Sequence, residues 1–433
     1  MSLDGITEVR HLLHRTGFAE PPASVVAAAA EPPAEHLAAR LASAAPIAPL
    51  APPAWAHEPT LSQRTFRDLP PERRRAARGA VRRVQRDRLA ELQAWWLSNL
   101  ILTENPLGAR MTLFWQNHFT SEQRKVRYTE LMYRQQRTLM RHATGRFDEL
   151  LLAMLRDPAM LTYLDNRRSR RQSPNENLAR ELLELFTLGE GQYAEGDIRE
   201  LARALTGLSV DERERYVFRD RWHDPEPKRL LGETDVRGVL DVVEVLVGHP
   251  ATATRLVERL WRHFVSPEPP PDAVRRLAER FRASELDVSA LLAALFSEAA
   301  FLDPDVRGTL VRSPVEFVVG THRALGLAPS EPPTLARAAR AMQQSLYEPP
   351  NVRGWVGGKR WLNSQTLLAR RRFVNGMLRN DALDAEALVG PLDDATLAAT
   401  LLPFPPQAST RHTGRAPKRR LARLLHDPAY HLC

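Results

Sequence analysis

Carboxylate, amide and guanidinium side chains recur at helical spacing between residues 176 and 184, and no other stretch holds as many groups capable of chemistry. The residues on this face are Glu176, Asn177, Arg180, Glu181 and Glu184. Glu181 and Glu184 stand three positions apart, so both carboxylates could reach one hard cation or share one proton. Arg180 could hold them ionised or bind an anionic substrate. Burial of either acid would raise its pKa and suit it to general acid or base catalysis.

The same face has a plainer interpretation. Glu176–Arg180 and Arg180–Glu184 have the four-residue spacing of ion pairs that stabilise a solvent-exposed helix. Glu176 could also act only as a helix cap, and rows of charged residues usually face water. The helix alone therefore leaves both interpretations open.

Capping residues predict where this helix begins and ends. Ser173 is a favoured N-cap, Pro174 suits the first helical position, and Glu176 completes a capping box. Gly189 can supply the left-handed residue that ends the helix. Four apolar residues form a stripe that should face the core: Leu178, Leu182, Leu185 and Phe186.

Further polar groups lie in separate segments, which the fold would have to bring to this helix. His118 ends an aromatic stretch, and a lone histidine among aromatic residues is more often a core residue than a ligand. Asp165 lies in the YLDN stretch, which follows an irregular segment at Asp157-Pro158. His223 and Asp224 are adjacent on extended chain, so they cannot bind one metal ion without a turn, which the neighbouring prolines favour. Lys228 follows them.

A basic loop precedes the acidic helix, and its arginines are Arg167, Arg168, Arg170 and Arg171. Such a loop could bind an anionic group, although it could equally be solvated or neutralise the neighbouring glutamates. A second loop, over residues 342–363, is rich in glycine and tryptophan and includes Trp355. Loops of this composition commonly line a pocket or hold the core together.

Composition limits the class of protein. The chain has 433 residues, 61 basic and 52 acidic, for a formal charge of +9, but the arginines are spread among acidic residues along the helices. Without a recognisable nucleic-acid-binding motif, we expect no nucleic-acid partner. The single cysteine, Cys433, excludes an intrachain disulfide. No signal peptide and no apolar run of membrane-spanning length is evident, so we expect a cytoplasmic protein without a membrane span.

Helical periodicity runs through most of the chain, and only residues 211–233 have the character of a hairpin. The predicted fold class is all-α, a multi-helix bundle with long irregular loops and one small β-hairpin. We expect three regions. Residues 1–70 hold an N-terminal helix and an Ala/Pro-rich irregular segment packed on the core, 71–375 form the helical core domain, and 376–433 contain C-terminal helices and a basic tail.

Several motifs occur in order along most of the chain: HLLHRTGF, FWQNHF, DPAMLTYLDN, SPNENLARELLELFTLGEG, HDPEPK and YEPPNVRGWVGGKRWLN. Together they resemble the bacterial domain-of-unknown-function 1800 family. The resemblance implies a mostly helical protein without a settled activity. It also implies that many relatives are exported and encoded beside a protein resembling sulfatases and alkaline phosphatases.

The resemblance marks a set of family motif positions in this chain. They are Asn117, His118, Asp165, Asn166, Asn175, Glu176, Asn177, Arg180, Glu181, Glu184, His223, Asp224, Lys228 and Trp355. This sequence departs from the family pattern in lacking the export signal. It also has Ala194 in place of a hydroxyl residue that would cap a helix, and Pro227 before Lys228.

The first functional hypothesis is a hydrolase or transferase with a shared polar cleft, acting on an anionic or polyhydroxylated substrate with a divalent metal ion as a candidate cofactor. Its candidate catalytic residues are Glu181, Glu184, His118, Asp165, His223 and Asp224. Its candidate substrate-binding residues are Asn175, Asn177, Arg180, Arg167, Lys228 and Trp355. The candidate metal ligands are Asp165, Glu181, His223 and Asp224. Gly-rich phosphate loops and the HExxH and G-x-S-x-G motifs are missing from the sequence.

The second hypothesis is a non-catalytic accessory protein for a partner enzyme resembling sulfatases or phosphatases. The polar row and the basic loop would then form an ion network that fixes the bundle. An exposed apolar patch around Trp355 and Trp361 would contact the partner. A pocket lined by the candidate acids and histidines favours the enzyme, whereas side chains consumed by mutual ion pairs favour the accessory protein.

Overall fold

Helices dominate the computed structural model, which describes residues 2–43, 47–60, 66, 69–329, 332–407 and 416–433. The predicted helical class with a small hairpin is confirmed. The α-helices in these residues are α1 (Leu3–Arg15), α2 (Pro22–Ala28), α3 (Pro33–Ala42), α4 (Pro71–Leu102), α5 (Pro106–His118), α6 (Gln123–Val126), α7 (Thr129–Arg141), α8 (Phe147–Leu155), α9 (Pro158–Tyr163), α10 (Glu176–Glu181), α11 (Glu195–Ala204), α12 (Val239–Gly248), α13 (Pro250–Phe264), α14 (Pro271–Ala283), α15 (Val288–Phe296), α16 (Ala299–Leu302), α17 (Pro314–Ala324), α18 (Pro332–Ala341), α19 (Ser364–Leu378), α20 (Ala385–Val389), α21 (Asp394–Leu401) and α22 (Pro417–Leu425).

Short helical segments of other types join these elements. A π-helical segment, Leu182–Phe186, continues directly from α10. The 3-10 helices are Ala54–His57, Asn166–Arg168, Asp220–Trp222, Pro304–Val306, Gly358–Trp361 and Pro428–His431. No helix in the described ranges is long and apolar enough to cross a membrane.

Proline explains where many of the helices begin. Ten of them, among those of the described residues, have proline as their first residue, including α4, α5, α9 and α13. Proline suits this position because its ring fixes a helical φ and because the missing N–H would have no helical partner there. Much of the high proline content therefore sets helix boundaries.

The strands of the described residues form two small antiparallel hairpins, where one was predicted, and they extend beyond the predicted residues 211–233 at both ends. In the first hairpin β1 (Leu208–Val210) pairs with β2 (Tyr216–Phe218), and in the second β3 (Lys228–Leu230) pairs with β4 (Glu233–Val236). The HDPEPK loop, residues 223–228, connects the two hairpins. The helix α11 packs against both α10 and β3, so it links the acidic helix to the second hairpin.

One continuous hydrophobic core joins the beginning, the middle and the end of the chain. Its buried members run from Ile6 in α1, through Trp96 in α4 and Trp115 in α5, to Tyr430 near the C-terminal end of the sequence. The first helix packs against α21, and α2 packs against both α20 and α21. The basic first half of α4 is largely exposed, whereas its tryptophans are buried, as expected for core residues.

Asp157 is a buried carboxyl group that holds the start of α9. Its Oδ1 accepts hydrogen bonds from the Met160 N–H and from Gln135 Nε2, each at 2.8 Å. Burial raises the pKa of this carboxyl to about 7, which exceeds the opposing effect of the hydrogen bonds. Between about pH 4 and pH 7 the folded state therefore binds a proton that the unfolded state has released, and stability falls as the pH rises.

Asp157→Asn should remove this pH dependence while keeping the Oδ1 acceptor. We expect the variant to be more stable than the parent at pH 8, by up to about 4 kcal/mol, and to match it near pH 4. Urea denaturation at both pH values measures the difference. A variant that is less stable than the parent at pH 8 would contradict a neutralised buried carboxyl.

Candidate functional site

The acidic helix begins two residues later than predicted. Asn175, not Ser173, is its N-cap, because the Asn175 Oδ1 accepts the Asn177 N–H at 2.8 Å. The Ser173 N–H instead donates to the Arg170 carbonyl at 2.7 Å and closes a tight turn. The Asn175 Nδ2 also donates to the Asp165 carbonyl at 3.1 Å, so the cap ties the helix to the preceding segment.

The apolar stripe of this helix faces the core, as predicted. Its residues Leu178, Leu182, Leu185 and Phe186 are all buried. The helix then ends with Gly189 in the left-handed conformation, at φ 97°, with its N–H bonded to the Leu183 carbonyl at 3.0 Å. The Arg255 guanidinium donates to the Leu185 carbonyl at this end. The polar face is therefore fixed in direction by the packing of its opposite side.

Ion pairs occupy most of the polar face, and they connect it to other segments. Arg180 pairs with Glu176 at 3.5 Å and with Glu195 of α11 at 2.7 Å. Glu184 pairs with Arg353 at 2.5 Å, and Arg353 also pairs with Glu190 at 2.9 Å. The predicted Arg180–Glu184 pair is thus replaced by two longer-range contacts, because each side chain has an oppositely charged partner from another segment.

Glu181 differs from its neighbours in that no hydrogen bond or ion pair satisfies its carboxylate within the described residues. Burial is the main cause that raises its pKa, and the adjacent Glu184 adds to the shift, while Arg353 and Arg180 oppose it. Glu181 also contributes, after burial and Glu122, to raising the pKa of Tyr163 to about 12. This is the one acid of the row whose environment suits proton transfer. The adjoining π-helical segment is a feature frequent at functional sites.

Asp165 is exposed and lies immediately before the 3-10 helix Asn166–Arg168, which precedes the acidic helix. Its backbone is left-handed, with φ 61°, and its carboxylate pairs with Lys125 at 2.6 Å. The Lys125 ammonium also lies 5.5 Å from the centre of the Tyr163 ring. Asp165 is therefore near the acidic helix, which it contacts through its backbone, but its carboxylate is occupied.

His118 meets the acidic helix from the buried side. Its Nε2 lies 3.0 Å from the Phe186 carbonyl, and its ring packs among aromatic residues that include Phe114 and Phe119. Burial holds the pKa of this imidazole well below its ordinary value, so it is neutral at pH 7. This position is that of a core histidine, although its buried Nδ1 has no hydrogen-bond partner among the described residues. It does not bring His118 to the carboxylates.

A second cluster lies where the loop between the hairpins meets α11, and it contains His223, Asp224 and Lys228. His223 Nδ1 contacts the Thr206 carbonyl at 2.9 Å, and Asp224 pairs with Arg203 at 2.7 Å. Lys228 donates to the carbonyls of Asp224 and Arg237. Within the described ranges, no hydrogen bond, ion pair or ring contact joins these three residues to Glu181.

The basic loop is divided among several partners. Arg167 pairs with Glu214 at 3.4 Å, and the Arg170 guanidinium lies 5.9 Å from the centre of the Trp222 ring. The Arg171 N–H donates to the Trp222 carbonyl at 2.8 Å. The loop is thereby fastened to the 3-10 helix that precedes His223, and its arginines do not converge on one point.

The Gly/Trp-rich loop is held against α5 by an asparagine. Asn117 Oδ1 accepts the Trp355 N–H at 2.8 Å, and its Nδ2 donates to the Trp355 carbonyl at 3.1 Å. Gly354 allows this approach because it adopts φ 74° and because a Cβ there would lie 2.2 Å from Asn117 Oδ1. Together with Arg353, these contacts fix the loop beside the acidic helix.

Among the described residues, the candidate site coincides with neither a metal-binding group of side chains nor any of four concavities. Within the described ranges no three His, Cys, Asp or Glu side chains are grouped so that they could hold a metal ion. Three open concavities lie along α13 and α14 or beside Glu190 and Arg255, and a small cavity lies beside His14. None of these four is lined by any of the twelve candidate residues.

A family profile, described as Protein of unknown function (DUF1800), matches residues 11–432. The chain belongs to the DUF1800 family. The match covers nearly the whole chain and so includes both the acidic helix and the HDPEPK loop. No curated protein and no solved structure matches the chain.

Sequence reasoning missed the residues that pair with the DUF1800 motif from a distance. Arg353, Arg255 and Glu195 were not singled out, although each contacts the acidic helix or its end. Arg353 lies 169 positions from Glu184, and no local pattern marks such a pair. Ala194 leaves α11 without a side-chain cap, as predicted, while Asp197 accepts the Ala194 N–H at 2.8 Å.

Asn117→Ala should release the Gly/Trp-rich loop of this DUF1800 protein. Both hydrogen bonds to Trp355 are lost, so we expect a cost of about 1–3 kcal/mol and faster backbone hydrogen exchange over residues 351–357. Asn380→Ala is the matched control, because Asn380 Oδ1 contacts only the nearby Ala382 N–H. Unchanged exchange in Asn117→Ala would show that the loop is held by other contacts.

Proposed function

We propose that this DUF1800 protein is a non-catalytic accessory protein, which binds a partner enzyme resembling sulfatases or alkaline phosphatases. The observation that supports the proposal is that most polar side chains of the family motif already bond to other segments of the chain. Arg180, Glu184 and Asp224 are engaged in ion pairs with other segments, and Asn117 and Asn175 hold backbone groups. Groups engaged in this way position the chain and are not available to a substrate.

The motif contacts also explain why polar residues recur in segments far apart in the sequence. Asn166 is fully buried, and its Nδ2 donates to the carbonyls of Leu205 and Leu208 at 3.2 and 3.4 Å. A buried amide or carboxylate without a partner costs free energy, so each such residue requires its specific counterpart. A family could therefore keep these residues for one arrangement of loops, without any need for catalysis.

The loop that this network holds carries the proposed contact surface, which we call the 355–368 surface. It comprises Trp355, Val356, Leu367 and Leu368, in the Gly/Trp-rich loop and the first turn of α19. Val356 is 65% exposed and Leu368 is 48% exposed. Trp361, which the sequence placed in the patch, is buried instead. Exposed apolar side chains on a fixed loop favour protein contact over solvent.

The test uses the full chain and the sulfatase-like protein encoded beside a family member, both purified. We expect the two proteins to bind, and the double variant Val356→Asp/Leu368→Asp to bind roughly tenfold more weakly or worse, because aspartate cannot enter an apolar contact. Titration calorimetry measures the affinity. Leu240→Asp is the matched control, since Leu240 is an equally exposed leucine, at 60%, on α12.

Either of two results would contradict the proposal. One is the absence of binding by the parent chain. The other is an equal loss of affinity in the control variant Leu240→Asp, which would mean that any new surface charge weakens the contact. Glu181→Gln should bind the partner normally, because Glu181 takes part in no contact of the network.

A second candidate function rests on Glu181 itself. A half-buried carboxylate with a raised pKa and no partner, beside Tyr163 and Glu184, is suited to act as a general base or acid in a hydrolase or transferase. The substrate class would be anionic or polyhydroxylated, as in a phosphate or sulfate ester or a glycoside. Glu181→Gln separates the two functions. It would abolish turnover of such substrates by an enzyme and leave an accessory protein unaffected.

A further inference from the structure

Five arginine side chains are buried where α1 meets α5, α17 and α19. They are Arg10, Arg15, Arg110, Arg312 and Arg370, each at most 4% exposed. Buried guanidinium groups need both hydrogen-bond acceptors and negative charge, because their desolvation is costly. This group lies apart from the acidic helix and takes no part in the contacts described above.

Negative charge within the group is scarce. Glu316 is the carboxylate that pairs with Arg110, at 2.7 Å, and it also accepts the Ser313 N–H at 2.7 Å. A negative charge at Cys433 raises the pKa of Arg10 and Arg15, against the larger lowering effect of burial. In the described part of the chain, no arginine of the group forms an ion pair with Cys433. The guanidinium groups therefore outnumber the negative charges.

The hydrogen bonds of His14 determine its tautomer. Arg10 Nη1 and Arg312 Nη2 both point at His14 Nδ1, at 3.4 and 3.2 Å. Because arginine can only donate, Nδ1 must accept, and the proton of the neutral ring lies on Nε2. That Nε2 is buried and has no acceptor among the described residues. The same is true of Arg312 Nη1 and Arg10 Nη2.

A small cavity opens beside these unused donors. It is lined by His14, Arg110, Arg312, Glu316 and Cys433, with Phe18 as an apolar wall. The space has room for about one water molecule. A sulfate or phosphate ion is too large for it, whereas a chloride ion is somewhat larger than a water molecule and needs only a small outward shift of the lining side chains.

We propose that this cavity binds one monatomic anion, chloride, held by His14 Nε2–H and the Arg312 guanidinium. Each unsatisfied atom of these two side chains is a donor, and an anion accepts from several donors at once. Arg10, behind His14, adds positive charge. Two negative charges lie near the cavity, and neither prevents binding. Glu316 is offset by Arg110. The charge at Cys433, which also lines the cavity, is offset by Arg10 and Arg15.

The bound anion would join α1 to the segment that precedes α17. His14 belongs to α1, and Arg312 lies just before α17, where its N–H donates to the His431 carbonyl at 2.9 Å. An anion that binds only the folded state stabilises it according to its concentration and affinity. Chloride is therefore inferred to act as a structural ligand of the fold.

The direct test is a crystal of the full chain grown in sodium bromide, with anomalous data collected at the bromine edge. We expect an anomalous peak within hydrogen-bond distance of His14 Nε2 and Arg312. In parallel, the thermal midpoint should be about 3 °C higher in sodium chloride than in sodium gluconate of equal ionic strength, because gluconate cannot enter the cavity. A cavity that holds water alone, or equal midpoints in the two salts, would overturn the proposal.

Variants connect the salt effect to the site. Arg312→Gln and His14→Gln should lose the chloride-specific rise in the midpoint. Arg323→Gln is the control, because Arg323 is a partly buried arginine that pairs with Glu20, outside the group of five buried arginines. It should lower the midpoint equally in both salts and keep the chloride-specific rise. Loss of that rise in Arg323→Gln would also contradict the proposal, and the bromide experiment on the parent chain stands even if a site variant fails to fold.

Discussion

Burial of one side of the helix formed by residues 176–186 is the constraint on which the rest of the site depends. Once Leu178, Leu182 and Phe186 enter the core, the opposite row of charged residues has a fixed direction and cannot turn away. Each charged group must then find its partner in another segment. The contacts of Arg180 with α11 and of Glu184 with the Gly/Trp-rich loop follow from that requirement.

Most of the motif residues therefore hold segments together. His118 supports the helix from within the core, Asn117 fixes the loop, and the Asp224 cluster fastens the hairpins to α11. Among the acids of the described helix face, Glu181 alone is left without a hydrogen bond or ion pair, and its raised pKa is the consequence of burial beside a second acid. A network of this kind gives the molecule one defined surface, whereas the candidate chemistry is confined to a single carboxylate.

The sequence predicted those features that depend on local spacing. The buried stripe, the left-handed Gly189 and the presence of a small hairpin after residue 208 all follow from periodicity or backbone preference, although two hairpins form where one was predicted. The cap at Ser173 was wrong because two good capping residues lie close together, and the contact of Asn175 with the Asp165 carbonyl favours the later start. The site could not be predicted in full, since pairs such as Glu184–Arg353 arise only when distant segments meet.

The most direct measurement is the free energy of unfolding of Asp224→Ala compared with that of Glu181→Ala. If the motif residues serve to hold the fold, Asp224→Ala should lose about 1–3 kcal/mol, because the Arg203 Nε–H and the Glu226 N–H lose their acceptor, while Glu181→Ala should be at least as stable as the parent. Full stability in Asp224→Ala, or a large loss in Glu181→Ala, would contradict the assignment of these residues to structure.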